Sequence, residues 1–251
     1  MNKKKNTTDL FRTSLEKDEV IKLANIFSKN NKSISIKLDN FPKYVRRQTL
    51  TRFLALYEIF KKVLNVKGSV IECGVYHGFG LMTWAKLSSI LEPLNLTRRV
   101  YGFDTFNGFN EITTKDHTTV GDVFKGQFKS NSYEELSELI DIYDSTRPLG
   151  HISKVKMIKG DASKTIPTFI KKNQHLLISL LFLDFDLYKP TRVALEEFLP
   201  RMPKGAIIAF DELDNPLWPG ETIAMLDLFK ENKLRIQRSE FDPFIGFAEI
   251  E

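Results

Sequence analysis

The sequence predicts an α/β fold, a mostly parallel, doubly wound sheet with helices on both faces. Three observations point to it. Short apolar runs alternate with segments of helical period along most of the chain. One of these runs, Ile178–Leu183, is apolar but for Ser179, as a strand buried on both faces should be. A glycine-containing turn directly follows the first run and opens a helical segment. At 251 residues the chain can bury one large core of this kind, and is not too short for two domains.

Taken in order, residues 1–40 are polar and weakly patterned, and read as a loosely ordered arm or short helices. Residues 41–251 make the main domain. Leu50, Phe53, Leu54, Tyr57, Phe60 and Leu64 follow helical spacing, so an amphipathic helix precedes the sheet and ends at Gly68. Val70–Cys73 is the first strand, followed by the glycine turn and a helix over Phe79–Leu91. Val100–Phe103 and Val155–Ile158 are the second and third strands, and a short helix covers Lys164–Lys171. The fourth strand, Ile178–Leu183, leads into a helix at Thr191–Leu199. The fifth, Ala206–Phe210, leads into one at Glu221–Lys230. Strands near Leu234–Gln237 and Ile245–Ile250 close the chain.

One insertion breaks this rhythm. About fifty residues, roughly 105–150, separate the second strand from the third, where a crossover needs far fewer. Ser132 and Glu135 form a capping-box pattern ahead of Leu136, Leu139 and Ile140, so a helix starts there. Before it, Thr105–Asn131 has no clear period and carries Gly108, Gly121 and Gly126. Long irregular stretches inside compact domains are mostly functional or disordered, and this one reads as a substrate lid.

Composition excludes several classes. The apolar run Leu176–Leu183 is far too short to span a membrane. A basic start, Lys3–Lys5, has no apolar stretch behind it, so secretion is not expected. The single cysteine, Cys73, forbids an internal disulfide and fits a reducing cytoplasm. A formal net charge of +5 would help to attract an anionic partner such as a nucleotide-linked sugar. Spread as these charges are, a solvated basic surface accounts for them, and nucleic acid is not the expected partner.

Ligands bind where the strands of such a sheet end. The residues just past the five strands are Gly74–Gly80, Asp104, Gly160-Asp161, Asp184-Phe185-Asp186 and Asp211-Glu212. Each alone has a structural explanation; all five together indicate one ligand-binding edge. The turn Gly74-Val75-Tyr76-His77-Gly78-Phe79-Gly80 has a spacing that some NAD-dependent dehydrogenases also use. Glu72 argues against a pyrophosphate there, because its carboxylate would repel it, and would instead pair with the ammonium of S-adenosylmethionine. The catalytic Tyr-x-x-x-Lys of such dehydrogenases occurs only as Tyr57…Lys61, upstream of the turn. Asp104 is placed to accept hydrogen bonds from ribose hydroxyls, or to cap a turn. Asp161 and Ala162 would flank an adenine, although Asp161 also suits the start of the next helix. Asp184, Asp186, Asp211 and Glu212 form the sharpest cluster. Four carboxylates brought together repel one another unless a cation or protons intervene. Oxygen ligands of this kind suit Mg²⁺, with Mn²⁺ or Ca²⁺ next; an ion pair with a lysine is the structural alternative. His77 and His117 are further candidate proton acceptors, and Trp84, Trp218 and Cys73 read as packing residues.

Four stretches resemble the macrocin O-methyltransferase family. They are Val70-Ile71-Glu72-Cys73-Gly74-Val75; Val100 through Phe109; Leu183-Asp184-Phe185-Asp186-Leu187-Tyr188-Lys189-Pro190-Thr191; and Asp211-Glu212-Leu213 with Trp218-Pro219-Gly220-Glu221-Thr222. The resemblance runs from about Phe41 to the C-terminus. It implies a Rossmann-like class I methyltransferase sheet with an antiparallel last strand. It also implies S-adenosylmethionine and Mg²⁺ as cofactors, and a hydroxyl of a sugar or nucleotide-sugar, a deoxyhexose in particular, as acceptor. Glu72, Gly74, Tyr76, Gly78, Asp104, Thr105, Gly160, Asp161, Ala162 and Asp184 would then surround the cofactor. Asp184, Asp211 and Glu212 would ligate the metal, with Asp186 as general base. Glu212 departs from the Asp often found at its position, and Tyr76 replaces a glycine of the general methyltransferase turn. A catechol-type methyltransferase shares this metal logic. A nucleic-acid enzyme would want an Asn-Pro-Pro-aromatic loop after the fourth strand, which this chain lacks. A non-catalytic cofactor-binding protein would have no use for the carboxylates. Homo-oligomerisation is left open.

Overall fold

Seven strands form a single sheet in the order β3-β2-β1-β4-β5-β7-β6. The computed structural model that shows this describes residues 13–231 and 233–251; the Lys3–Lys5 run lies outside them. Strands β1 (Ser69–Cys73), β2 (Val100–Asp104), β3 (Val155–Lys159), β4 (Ile178–Leu183) and β5 (Ile207–Phe210) are mutually parallel. β7 (Gly246–Glu249) runs antiparallel to β5, and the two-residue β6 (Gln237–Arg238) antiparallel to β7. β6 is shorter and later than the Leu234–Gln237 expected from apolar content.

The helices are α1 (Ser14–Lys29), α2 (Ile34–Asp39), α3 (Arg47–Lys62), α4 (Phe79–Leu91), α5 (Tyr133–Thr146), α6 (Ala162–Lys172), α7 (Tyr188–Phe198) and α8 (Pro219–Leu228). Two buried clusters, one per face, hold α3 through α8 to the sheet. Val70, Leu180, Phe182, Ile207 and Ala209 face Leu56, Ile59, Phe60, Leu81 and Trp84. Their neighbours Ile71, Cys73, Leu181, Leu183, Ile208 and Phe210 face Ile166, Ala194, Leu195 and Phe198. This is the two-residue alternation of a sheet covered on both sides.

Three local expectations change. The buried stripe of α3 is Ala55, Leu56, Ile59 and Phe60, while Phe53 and Leu54 are exposed. Apolar residues occupy most of this helix's circumference, so spacing alone left its orientation ambiguous. The described part of the N-terminal region forms a sixteen-residue helix, α1, started by a capping box between Thr13 and Glu16. No residue of α1 is buried. At α5, Ser132 occupies the N-cap position but makes no side-chain cap. Its hydroxyl donates instead to the Tyr76 carbonyl, tying the insertion to the glycine turn.

Candidate active site

Register brings the strand ends into one row. Cys73 is level with Phe103 on one side and Leu183 on the other; Leu183 is level with Phe210, and Phe103 with Ile158. Gly74, Asp104, Asp184 and Asp211 therefore follow at the same height. They sit where the order reverses between β1 and β4, the position at which open α/β sheets bind ligands. A cavity of about 360 Å³ opens there. Of the residues expected to serve a site, Glu72, Gly74, Tyr76, His77, Asp104, Thr105, Gly160, Asp161, Ala162, Asp184, Asp186, Asp211 and Glu212 line it. Gly78 is not among the lining residues. It precedes α4 with φ +83°, and a Cβ there would meet Leu136 of α5 at 2.2 Å. His117 is exposed and also lies outside the lining.

On the β1–β3 side, backbone and side chains are closely interlocked. The Asp104 carboxylate accepts hydrogen bonds from the N–H groups of Val75 (2.8 Å), Tyr76 (2.7 Å) and Phe106 (2.6 Å), fixing both the glycine turn and the start of the insertion. Asp161 caps α6 by accepting from the Ser163 N–H. Gly74 is required by proximity: a Cβ would fall 1.8 Å from the Asp184 carbonyl oxygen, and its φ is +97°. Gly80 leaves space for Glu72, whose Oε1 would lie 2.0 Å from a Cβ at that position. Glu72 itself is buried, and its Oε2 has no hydrogen-bond partner. Burial pushes its carboxyl well above the usual range, with Asp104 and Asp211 adding to the effect against the pull of Arg52. A buried carboxylate that faces a cavity without a partner is destabilising unless a ligand cation meets it.

The β4–β5 side is crowded with acids. Asp184, Asp186, Asp211 and Glu212 line the cavity, and the fully buried Glu221 of α8 lies behind them, accepting from the Glu212 N–H at 2.9 Å. Burial, then Asp211, raises the Asp184 carboxyl well above its ordinary value despite Arg52. Burial, then Glu212 and Asp211, does the same to Asp186. Glu212 is pushed up to about 8, chiefly by burial and then by Asp211. β4 ends at Leu183, and Asp186 has a left-handed backbone, φ +61°. The strand alternation that would put Asp184 and Asp186 on one face therefore does not reach Asp186.

The sequence reading missed the cation here. Arg52, from α3, places Nη1 2.5 Å from Asp211 Oδ1 and Nη2 2.9 Å from Asp184 Oδ2. The structural alternative of an ion pair is thus realised by an arginine rather than a lysine. Among the described residues, no three His, Cys, Asp or Glu side chains are grouped to hold a metal ion. The donor chemistry nevertheless fits one. Asp184, Asp186, Asp211 and Glu212 share one wall of the cavity, and hard oxygen donors of this kind suit Mg²⁺.

Residues of the insertion form the outer wall, with Gly108, Phe109, Asn110, Glu111 and Phe128 lining the cavity. Phe109, Phe128 and Trp218 contact one another, with ring centroids 5.3–5.9 Å apart, and Phe128 also meets Tyr76. Trp218 packs, as expected of it, and does so on the wall of the cavity. The buried Asp116, a residue the sequence did not single out, accepts from Thr113 N–H and, at 2.6 Å, from Tyr188 N–H at the start of α7.

A sheet of this order, with a glycine turn after β1 and acids along its C-terminal edge, is that of a Rossmann-like methyltransferase. The chain belongs to the macrocin-O-methyltransferase (TylF) family, whose model matches residues 19–243, and is an O-methyltransferase. It is similar to the crystal structure of CalS11, a calicheamicin methyltransferase, at 31% identity over 96% of this chain and 94% of that one, TM-score 0.89. The apo structure of CalS11, described as a TDP-rhamnose 3'-O-methyltransferase of calicheamicin biosynthesis, is 30% identical over 96% of both chains, TM-score 0.82. The O-methyltransferase NovP shares the fold at 18% identity over 79% of both chains, TM-score 0.58. No curated protein matches the chain. Among the described residues, no helix is long and apolar enough to cross a membrane.

Proposed function

We propose that the chain transfers a methyl group from S-adenosylmethionine to a hydroxyl of a sugar, a deoxyhexose free of or linked to a nucleotide, with a divalent ion assisting. The gathering of Glu72, Asp104, Asp184 and Asp211 on one cavity carries this reading. The 30–31% identity to CalS11 over nearly the whole chain supports a sugar acceptor.

S-adenosylmethionine supplies an already activated methyl group, so the chemistry is one in-line displacement. A carbon–oxygen bond forms as the carbon–sulfur bond breaks, and S-adenosylhomocysteine leaves. The protein's work is to position the acceptor and take up its proton. Glu72 would pair with the cofactor's ammonium and Asp104 would sit beside the ribose, its oxygens already shared with three N–H groups. Asp161 and Ala162 would flank the adenine. Asp184, Asp211 and Glu212 would hold Mg²⁺, which when bound would supply Lewis-acid help in orienting and acidifying a sugar hydroxyl. Asp186 would accept the hydroxyl proton. Residues 105–150 would close over the acceptor, with the Phe109–Phe128–Trp218 contacts as the latch.

Incubation with methyl-labelled cofactor and a panel of nucleotide deoxyhexoses, deoxyhexosides and catechols tests this. Label transfer to a sugar is expected. Transfer to catechols alone would overturn the acceptor class.

A further inference from the structure

The two acids at the centre of the row are already bridged. One planar guanidinium spans carboxylates from two neighbouring strands, Nη1 to Asp211 and Nη2 to Asp184, which a single ammonium could not do in the same way. Arg52 lies on the same helical face as Leu56, Ile59 and Val63, which are fully buried, so its stem is anchored in the core. The side chain is still 27% exposed, toward the cavity, and its guanidinium carbon lies 6.0 Å from the Phe182 ring centroid. Its stem is held in the core, and its tip, fastened to the two carboxylates, lines the cavity.

We propose that Arg52 is a displaceable internal cation, which clamps Asp184 to Asp211 while no divalent ion is bound and must release at least one of them for such an ion to bind. The inference rests on the reading that these carboxylates take a divalent ion, and adds a competitor for them. An ion using the oxygens that Arg52 now holds would stand beside a fixed positive charge at short range, and the two repel. Two states follow: an arginine-locked pair and an ion-loaded pair. The apparent metal affinity is the intrinsic affinity scaled by the fraction of molecules in which Arg52 has let go. The same clamp keeps the acids from driving that edge of the sheet apart when no ion is present. Arg52 is in this sense a positioning residue for the carboxylates.

Calorimetric titration of the full chain with Mn²⁺, wild type against Arg52→Met, tests the proposal. Removing the clamp is expected to tighten Mn²⁺ binding at least tenfold, with Arg52→Lys falling between the two. Equal or weaker binding in Arg52→Met overturns it. If Mn²⁺ binds neither protein, the divalent-ion reading fails and takes the clamp's role with it, an outcome distinct from equal binding to both. Should Arg52→Met not fold, nitrogen-15 spectra of the wild-type arginine side chains decide. The Arg52 guanidinium signal of a rotationally restrained group is expected to shift and average as Mg²⁺ is added. A signal unchanged at saturating Mg²⁺ also overturns the proposal.

Discussion

The two halves of the cavity rim are built on different principles. Around β1–β3, acids are consumed by nearby backbone: Asp104 by Val75, Tyr76 and Phe106, and Asp161 by Ser163. Around β4–β5, acids face acids, and the charge is offset by an arginine from a helix that precedes the sheet. The first half is a shaped seat with one unpartnered acid oxygen, on Glu72, which the proposed function pairs with the cofactor's ammonium. The second stores electrostatic repulsion that only a cation or protons can relieve. Such a division suits an enzyme in which one half holds a constant cofactor and the other activates a neutral hydroxyl.

If the halves are independent, disabling the reactive one should leave the seat intact. Asp186→Asn is expected to lower turnover on the order of 10²–10⁴-fold, the usual scale for a lost general base, with S-adenosylhomocysteine binding unchanged. Calorimetry with Mn²⁺ sharpens the result: normal affinity with little activity makes Asp186 the base, whereas lost affinity makes it a ligand. Near-wild-type turnover would remove it from the mechanism and return the proton to His77, which also lines the cavity.

The converse substitution probes the seat. Glu72→Gln keeps the shape but removes the charge, and a charge-assisted hydrogen bond contributes roughly 1.5–3 kcal/mol. S-adenosylhomocysteine affinity should therefore drop about ten- to a hundredfold, while Mn²⁺ affinity stays as it was. Unchanged affinity for the homocysteine product would mean that Glu72 is an internal acid kept neutral by burial, with no part in the seat.

Legibility in the sequence follows the same division. The strands and the row of strand-end residues could be read because each depends on local pattern: an apolar run, then a glycine or an acid. Arg52 could not be read that way, since its partners lie 132 and 159 positions away. A signal did exist. Arg52, Leu56, Ile59 and Val63 share helical spacing, so choosing the correct buried stripe of α3 would have exposed a charge on a core-facing side. Asp116 was invisible for a similar reason, its chief partner Tyr188 being 72 residues distant. The Ser132 pattern placed the start of α5 correctly but not its cap, because Ser132 has φ −90° and ψ 4° rather than the extended backbone of a capping residue.

The insertion couples the halves, so weakening its anchor should disturb both slightly. Asp116→Ala strips the acceptor from Thr113 and from the Tyr188 N–H. Leaving buried donors unpaired costs about 1–3 kcal/mol each in general, and partial rewetting of this wall should keep the loss near the lower end. Hydrogen exchange across residues 105–131 is expected to quicken in the variant and to slow again with cofactor and acceptor bound. Protection equal to that of the sheet in the free wild-type protein would sink the lid reading.

The smallest effect comes from a site that neither half uses and serves as a control for both. Lys154, just ahead of β3, is buried, with its ammonium donating to the Asn95 carbonyl. Burial pulls its pKa down to about 8; Glu92 opposes this, and Arg147, Arg99 and Arg98 add to it. Because the folded value lies below the unfolded one, the native chain holds fewer protons than the unfolded chain between about pH 8 and 10.5. The destabilising cost is full below about pH 8 and fades as pH rises through that window. Lys154→Met removes the titration. Relative to the variant, the wild type should gain stability from pH 8 to 10, and at pH 7 the variant should be the more stable by on the order of 1 kcal/mol, after allowing for the lost hydrogen bond to Asn95. Denaturant midpoints for the two proteins, compared at each pH, cancel the titration of all other groups. A constant difference across the window would show that Lys154 keeps an ordinary pKa. Cofactor affinity and turnover should be the same in both proteins, since the site stands at the opposite end of the strands from the row of acids.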